Sequence, residues 1–144
     1  MKLKAILFFL LLGAFLRAEE PALGYVSCLL EGQLGNQFFE IAASYAYALD
    51  HGYKFTVPDI KRKTNHGAPF NAKKIFLAKI DTYDMPVAFE TWTEPSFNYE
   101  CIPDFSAVEL KGFFQSEKYF KHRRRDVLNL LGPNEEIISR VLNQ

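Results

Sequence analysis

Apolar and polar positions along this 144-residue chain fall into blocks whose period changes from strand-like to helical and back. Tyr25 to Leu30 (YVSCLL) is short, apolar and partly β-branched, bounded by Gly24 and Gly32, and predicts a buried first strand. From Phe38 the apolar residues Phe38, Ile41, Ala42, Tyr45, Ala46 and Leu49 recur at helical spacing, the pattern of an amphipathic helix with one face toward a core. The pattern stops at His51-Gly52, where glycine can take the left-handed capping conformation. Lys54 to Val57 (KFTV) then predicts a second strand, stopped by Pro58. Strand, helix and strand in this order imply a parallel βαβ unit, because parallel neighbours need a crossover that a helix supplies.

Farther along, Lys61 to Phe70 (KRKTNHGAPF) is polar and broken by Gly67 and Pro69, which predicts a surface loop, with a short helix over Asn71 to Ile80 behind it. Met85 to Phe105 carries Pro86, Pro95 and Pro103 among aromatic residues, so short extended pieces between turns are expected. Glu109 to Phe114 (ELKGFF) predicts a further strand, with Phe113 and Phe114 in the core. A helical stretch follows from Glu117 to Leu131, its apolar side formed by Tyr119, Phe120, Val127, Leu128, Leu130 and Leu131, and Gly132-Pro133 stops it. Asn134 is placed to cap a last amphipathic helix, Glu135 to Leu142, whose first turn carries Glu135 and Glu136. No internal repeat or low-complexity tract interrupts this order.

Charge narrows the partners. The 17 basic and 17 acidic side chains balance, so no electrostatic surplus draws the chain to nucleic acid or an anionic membrane surface. With 49% apolar residues and 14 Phe, a compact core of one domain is expected over 22–144. Residues 1–18 stand apart: Lys2 and Lys4 precede a continuous apolar run, Ala5 to Leu16, which reads as a secretory signal peptide or an uncleaved signal anchor. Export, or membrane association through this segment, is therefore the expected location. Cys28 and Cys101 are too few for a disulfide scaffold; they could pair or remain thiols, and Cys28, inside an apolar run, reads as a small buried hydrophobe. His51 and His66 have no partners for a metal site or a triad, and neither metal nor cofactor is expected.

The chemistry concentrates in Glu31-Gly32-Gln33-Leu34-Gly35-Asn36-Gln37, between the first strand and its helix. Open α/β folds bind ligands at this place, outside the carboxyl end of a strand. Gly32 and Gly35 allow positive φ and close backbone approach, Asn36 is a good N-cap residue, and free N–H groups at such a helix start favour phosphate or a sugar hydroxyl. The loop is neither the dinucleotide fingerprint, since the third glycine is absent, nor a Walker loop, since no Lys-Ser/Thr pair follows. Taken with its helix, G-x-L-G-N-Q-F-F-x-x-A-x-x-Y-A-x-A resembles the opening motif of glycosyltransferase family 11, the α-1,2-fucosyltransferases. Lys111 to Phe120 (KGFFQSEKYF) is similar to that family's G-Y-F-Q-S-x-K-Y-F segment, in the same order.

The resemblance implies an α/β fold, a Rossmann-like parallel-sheet lobe of a GT-B type enzyme, and inverting transfer of L-fucose from GDP-fucose to the 2-hydroxyl of a galactose-type acceptor. GDP-fucose is then a donor substrate, not a cofactor. It also assigns Gly32, Leu34, Gly35, Asn36 and Gln37, with Gly112, Phe114, Gln115, Ser116 and Tyr119, to the matching motif positions. Of these, Gly32, Gly35, Asn36, Gln37, Gln115 and Ser116 are candidates for donor or acceptor binding, against the plainer reading of Gln115 and Ser116 as a polar strand-to-helix connection. Glu31 is the nearest candidate base for the acceptor hydroxyl; exposure to solvent or a structural hydrogen bond is its plainer role. The family's H-x-R-R-G-D motif, which binds the donor from the C-terminal half, has no counterpart. Lys121-His122-Arg123-Arg124-Arg125-Asp126 lacks the glycine and runs into a helical pattern, so it reads as an exposed basic helix face. The expectation is thus an N-terminal lobe lacking the C-terminal lobe, with a complementing lobe as a partner. A secreted, non-catalytic carbohydrate-binding or interaction module and a relative of the protein O-fucosyltransferases are the alternatives.

Overall fold

The computed structural model describes residues 24–61 and 75–143. The leader, most of the Lys61–Phe70 loop and the first part of the short helix expected from Asn71 lie outside the described residues.

Four strands, β1 (Tyr25–Cys28), β2 (Lys54–Phe55), β3 (Glu90–Thr93) and β4 (Ala107–Lys111), form one sheet in the order β2-β1-β4-β3, every pair parallel. The unit is mixed α/β on a parallel sheet, and β1, α1 (Leu34–His51) and β2 make the βαβ crossover that the apolar periodicity predicts. β1 and β4 lie at the centre, with Val26, Ser27, Cys28, Val108 and Leu110 all buried, as a strand covered on both faces requires. β2 and β3 are the two edges, and in β3 Glu90, Thr91 and Thr93 are exposed. The sequence shows only short extended pieces there, because an edge strand has no continuous apolar run to announce it.

α1 packs its middle onto β1 through Ile41, Ala43, Tyr47 and Ala48, and ends where expected, at Gly52 in the left-handed region with φ 67. Its start differs from expectation. The helix begins at Leu34, Gln33 is the N-cap and makes no side-chain cap bond, so Asn36 lies in the first turn instead of capping it. Only five residues separate the end of β1 from the helix, and Gly32 at φ 70 turns the chain sharply enough that the helix starts two residues later. Gly35 is helical and does not take positive φ.

β1 stops short of Leu30 because Leu29 N–H makes the last ladder bond, to Leu110 O (3.0 Å), and Leu30 N–H turns to the Asp59 carboxylate (3.2 Å). β2 ends likewise: Thr56 N–H still bonds Val26 O (3.0 Å), but Val57 N–H reaches Asp81 O (2.7 Å) before Pro58 opens a 3-10 turn, Pro58–Ile60. β4 begins and ends before the predicted span. Extended geometry breaks at Gly112 (φ 147) and Phe114 (φ 47), so Phe113 and Phe114 belong to the following turn. Phe114 is fully buried and Phe113 half-buried against Phe97.

The helix predicted from Glu117 resolves into two 3-10 turns, Glu117–Tyr119 and Lys121–Arg123, and then α2 (Arg124–Leu131). Tyr119 and Val127 are buried, but Leu128 is 58% exposed and leaves the apolar side that periodicity gave it. The basic run is likewise not wholly a solvated face. His122 Nε2 and Arg123 Nε each lie 2.7 Å from the Asp50 carboxylate, which ties this segment to the end of α1. α3 (Glu135–Leu142) forms as expected, with the Asn134 side chain accepting from Ile137 N–H at 3.0 Å.

Candidate functional site

Because all four strands run the same way, the segments after β1, β2, β3 and β4 emerge at one edge of the sheet. From β1 the chain goes to one side, to β2, and later fills the other side with β3 and β4, so the strand order reverses between β1 and β4. A crevice outside the carboxyl ends is expected at that reversal. Glu31–Gln33 with the start of α1 forms one wall, and the turn Gly112–Ser116 forms the other. The two blocks of candidate residues, far apart in sequence, meet here: Gln115 Nε2 donates to Asn36 Oδ1 at 3.2 Å.

The first wall is held from beneath by α1. Gln37 and Glu40 are both fully buried. Gln37 Nε2 donates to Gly32 O (3.1 Å), and Glu31 N–H donates to Glu40 Oε2 (3.0 Å), so two side chains on adjacent turns fix the loop backbone. Gly32 is required twice over: its φ of 70 is costly for a residue with a Cβ, and a Cβ there would run into the Asn36 carboxamide. Gly35 faces open space, with nothing within 4 Å of where a Cβ would sit. Among the described residues, the N–H groups of Leu34, Gly35 and Asn36 have no protein acceptor, as the first turn of a helix leaves them.

The second wall is held by Glu94, just past β3. Its Oε2 accepts from Phe114 N–H at 2.9 Å, and its Cβ lies so close to Gly112 that no side chain would fit there. Phe114, in the left-handed region, is pinned by its buried ring between Trp92 and Tyr119. Burial and the nearby Glu94 push the Tyr119 phenol up to about 12; its oxygen accepts from Glu100 N–H at 3.0 Å. Ser116 Oγ accepts from Lys118 N–H at 3.4 Å and caps the first 3-10 turn, while Gln115 is exposed toward Asn36.

Electrostatically the first wall is unusual. Burial pushes the Glu40 carboxyl up to about 8, with the nearby Glu31 and Asp59 carboxylates adding to the effect against the Glu31 N–H bond. Glu40 therefore holds its proton at neutral pH. Burial also pushes the neighbouring Cys28 thiol well up, and Cys28 and Cys101 are both unpaired thiols, one buried and one exposed. Gln37 and Glu40, on one stripe of α1, together with Ser27 of β1, each keep a buried oxygen without a hydrogen-bond partner among the described residues, while Ser44 on the same stripe faces the Cys28 thiol. Among the described residues no Lys or Arg side chain bonds to the loop or pairs with Glu31 or Glu40. Glu31 is exposed beside the loop, and its N–H donates to Glu40 Oε2.

Glu40, Asp59 and Glu94 were not singled out by sequence. A readable signal existed for Glu40, a carboxylate at helical spacing between Gln37 and Ser44 on the face that must be buried; Asp59 and Glu94 are recognisable only once neighbouring strands are known. His51 is structural: it stacks on Tyr47 and lies 3.1 Å from Asp104. A depression of about 500 Å³ lined by Tyr25, Lys54, Phe55, Asp81 and Tyr83 lies on the outer flank of β2, away from the crevice. Among the described residues no helix is long and apolar enough to cross a membrane. No protein-family model, curated protein or solved structure matches the chain.

Proposed function

We propose that the chain is the N-terminal, Rossmann-like lobe of a GT-B type, GDP-fucose-dependent α-1,2-fucosyltransferase of glycosyltransferase family 11. What supports the reading above all is the Gln115–Asn36 hydrogen bond: the only two segments resembling that family meet at the strand-order reversal, where an α/β fold places a ligand. In the proposed reaction the 2-hydroxyl oxygen of a galactoside attacks the anomeric carbon of fucose from the face opposite the diphosphate. The bond from that carbon to the β-phosphate oxygen breaks, GDP leaves with the electron pair, and the hydroxyl proton passes to a base, for which Glu31 is the candidate. Donor binding is proposed to need an H-x-R-R-G-D segment from a second lobe, because among the described residues no guanidinium is hydrogen-bonded to the loop after β1. Export or membrane association through residues 1–18 fits a glycan acceptor.

The test is calorimetry of GDP, GDP-fucose and a β-galactoside against the 144-residue chain, with mass spectrometry for fucosylated product, alone and after adding a lobe that carries H-x-R-R-G-D. Galactoside binding, with transfer appearing on addition of that lobe, is the expected result. Transfer by the chain alone would overturn the need for a second lobe, and absence of galactoside binding would sink the reading. Galactoside binding without transfer in either arm selects the non-catalytic carbohydrate-binding module. Transfer to a folded protein hydroxyl instead of galactose selects the protein O-fucosyltransferase relative.

A further inference from the structure

We infer that the depression on the outer flank of β2 binds a free α-amino acid with an aromatic or large apolar side chain, its carboxylate held by Phe55 N–H and Lys54 and its ammonium by Phe55 O and Asp81. This site lies away from the crevice between α1 and the turn after β4, and it stands or falls independently of the fucosyltransferase reading.

β2 is an edge strand, and its register decides which backbone groups it leaves open. Neighbouring residues of a strand turn their N–H and C=O groups to opposite sides. Lys54 N–H bonds Gly24 O and Thr56 N–H bonds Val26 O, both at 3.0 Å, so Phe55 between them turns both its groups away from β1, toward the flank where the depression lies. Among the described residues neither group has a partner. The residues on either side that turn the same way are already engaged: Tyr53 N–H bonds Ala48 O (2.9 Å) and Val57 N–H bonds Asp81 O (2.7 Å). The edge therefore offers one donor and one acceptor, a slot for a single residue and not for an added strand. Charge is arranged to match. Lys54 lies at the amino end of the slot, and Asp81, brought beside Val57 by its carbonyl, lies at the carboxyl end. Both side chains are exposed and, among the described residues, paired neither with each other nor with another group. A cation beside the open N–H and an anion beside the open C=O complement a carboxylate and an ammonium joined through one carbon. An anion alone would meet Asp81, and a cation alone Lys54, with like charge. Tyr25, Phe55 and Tyr83 complete the lining. Thr56 Oγ1 holds Tyr83 there by donating to its carbonyl at 2.6 Å. Burial, then the Asp81 carboxylate and the Tyr25 phenol, push the Tyr83 phenol up, which puts these three polar groups around one space. Three rings about a volume of about 500 Å³ give an apolar side chain its surface, and the volume suits a small molecule of amino-acid size.

The experiment is 15N-resolved NMR titration of the full 144-residue chain with L-phenylalanine, N-acetyl-phenylalanine, phenylalanine amide and methyl β-galactoside, repeated with L-phenylalanine for Lys54→Met and Asp81→Asn. Both side chains are exposed, so the variants keep the fold, and their own spectra show it. L-Phenylalanine is expected to shift the Phe55 amide signal saturably, and each variant to weaken its binding about three- to fivefold, the loss of one solvent-exposed charge contact. N-acetyl-phenylalanine lacks the ammonium and phenylalanine amide lacks the carboxylate, so each is expected to bind the parent chain more weakly than phenylalanine by a similar factor. The galactoside is expected to leave the Phe55 signal in place. A Phe55 signal that phenylalanine does not move, or moves without saturation, overturns the inference. So does an affinity that ignores either variant, equal affinity for either blocked form, or a saturable shift with the galactoside and none with phenylalanine.

Discussion

Replacing Glu40 with Gln tests the most consequential feature of the loop support, a carboxyl group buried without a cation. Burial raises its pKa from an ordinary 4.5 to about 8, so between those values the folded chain holds a proton that the unfolded chain has released. Stability must then be highest at the acidic end and fall as pH rises through that window, levelling off above about pH 8. At about 1.4 kcal/mol per pH unit, the full window caps the effect at roughly 5 kcal/mol, and relaxation around the ionised group lowers it to about 2–3 kcal/mol. Glu40→Gln keeps an oxygen to accept from Glu31 N–H and removes the titration. It is expected to match the parent protein at pH 5 and to exceed it by about 2–3 kcal/mol at pH 8.5. Urea unfolding followed by circular dichroism at pH 5, 7 and 8.5 measures this directly, with an unchanged denaturant slope confirming comparable end states. Burial, with the Glu40 charge adding to it, pushes the Cys28 thiol well above its ordinary 9.0, so in the folded chain it stays protonated throughout this window. If the two stability curves run parallel, Glu40 does not titrate in this window. If Gln is worse at every pH, the ionised carboxylate is holding Glu31 N–H and the account of the loop is wrong.

Five further substitutions, at four positions, probe the loop after β1, the turn after β4 and the docking of α2. Gly32→Ala is expected to lose about 1–2 kcal/mol, from its positive φ and the displaced Asn36 side chain, whereas Gly35→Ala, in a helix with open space above it, should gain about 0.5–1 kcal/mol; thermal unfolding separates the two glycines. Phe114→Ala should lose about 3–5 kcal/mol as its buried ring is removed, but Phe114→Gly should be about 1 kcal/mol less damaging than Ala, reversing the usual order because φ is 47; chemical denaturation of the pair checks the sign. Asp50→Asn removes the partner of Arg123 and His122, and because these groups are partly exposed the loss should be only about 0.5–1 kcal/mol and shrink in high salt. Burial works against the Asp50 charge, but Arg123 and His122 outweigh it and lower its pKa, so its contribution is present above the ordinary 3.8 and lost as pH falls through the lowered value; the two proteins should converge in acid.

What the sequence determined by itself was local and periodic. The βαβ start, the stop of α1 at Gly52 and the Asn134 cap of α3 follow from propensity, period and end signals, which act within a few residues and so are written in consecutive letters. The glycine turn at Gly32 that leads from β1 into α1 was legible for the same reason. Everything that joins distant segments was decided by the tertiary structure. Helical period placed Leu128 on a buried side, but only the path of α2 across α1 shows that nothing covers it. The strand-like letters of ELKGFF run on to Phe114, yet Glu94, brought alongside by β3, bends the chain at Gly112 and Phe114 and aims Gln115 at Asn36. Glu40 looks in the sequence like any surface carboxylate on a helix; the sheet beneath α1 strips its water, raises its pKa and turns it into the support of the Glu31 backbone. Burial and long-range pairing are properties of the packed sheet, and no window of the chain contains both partners.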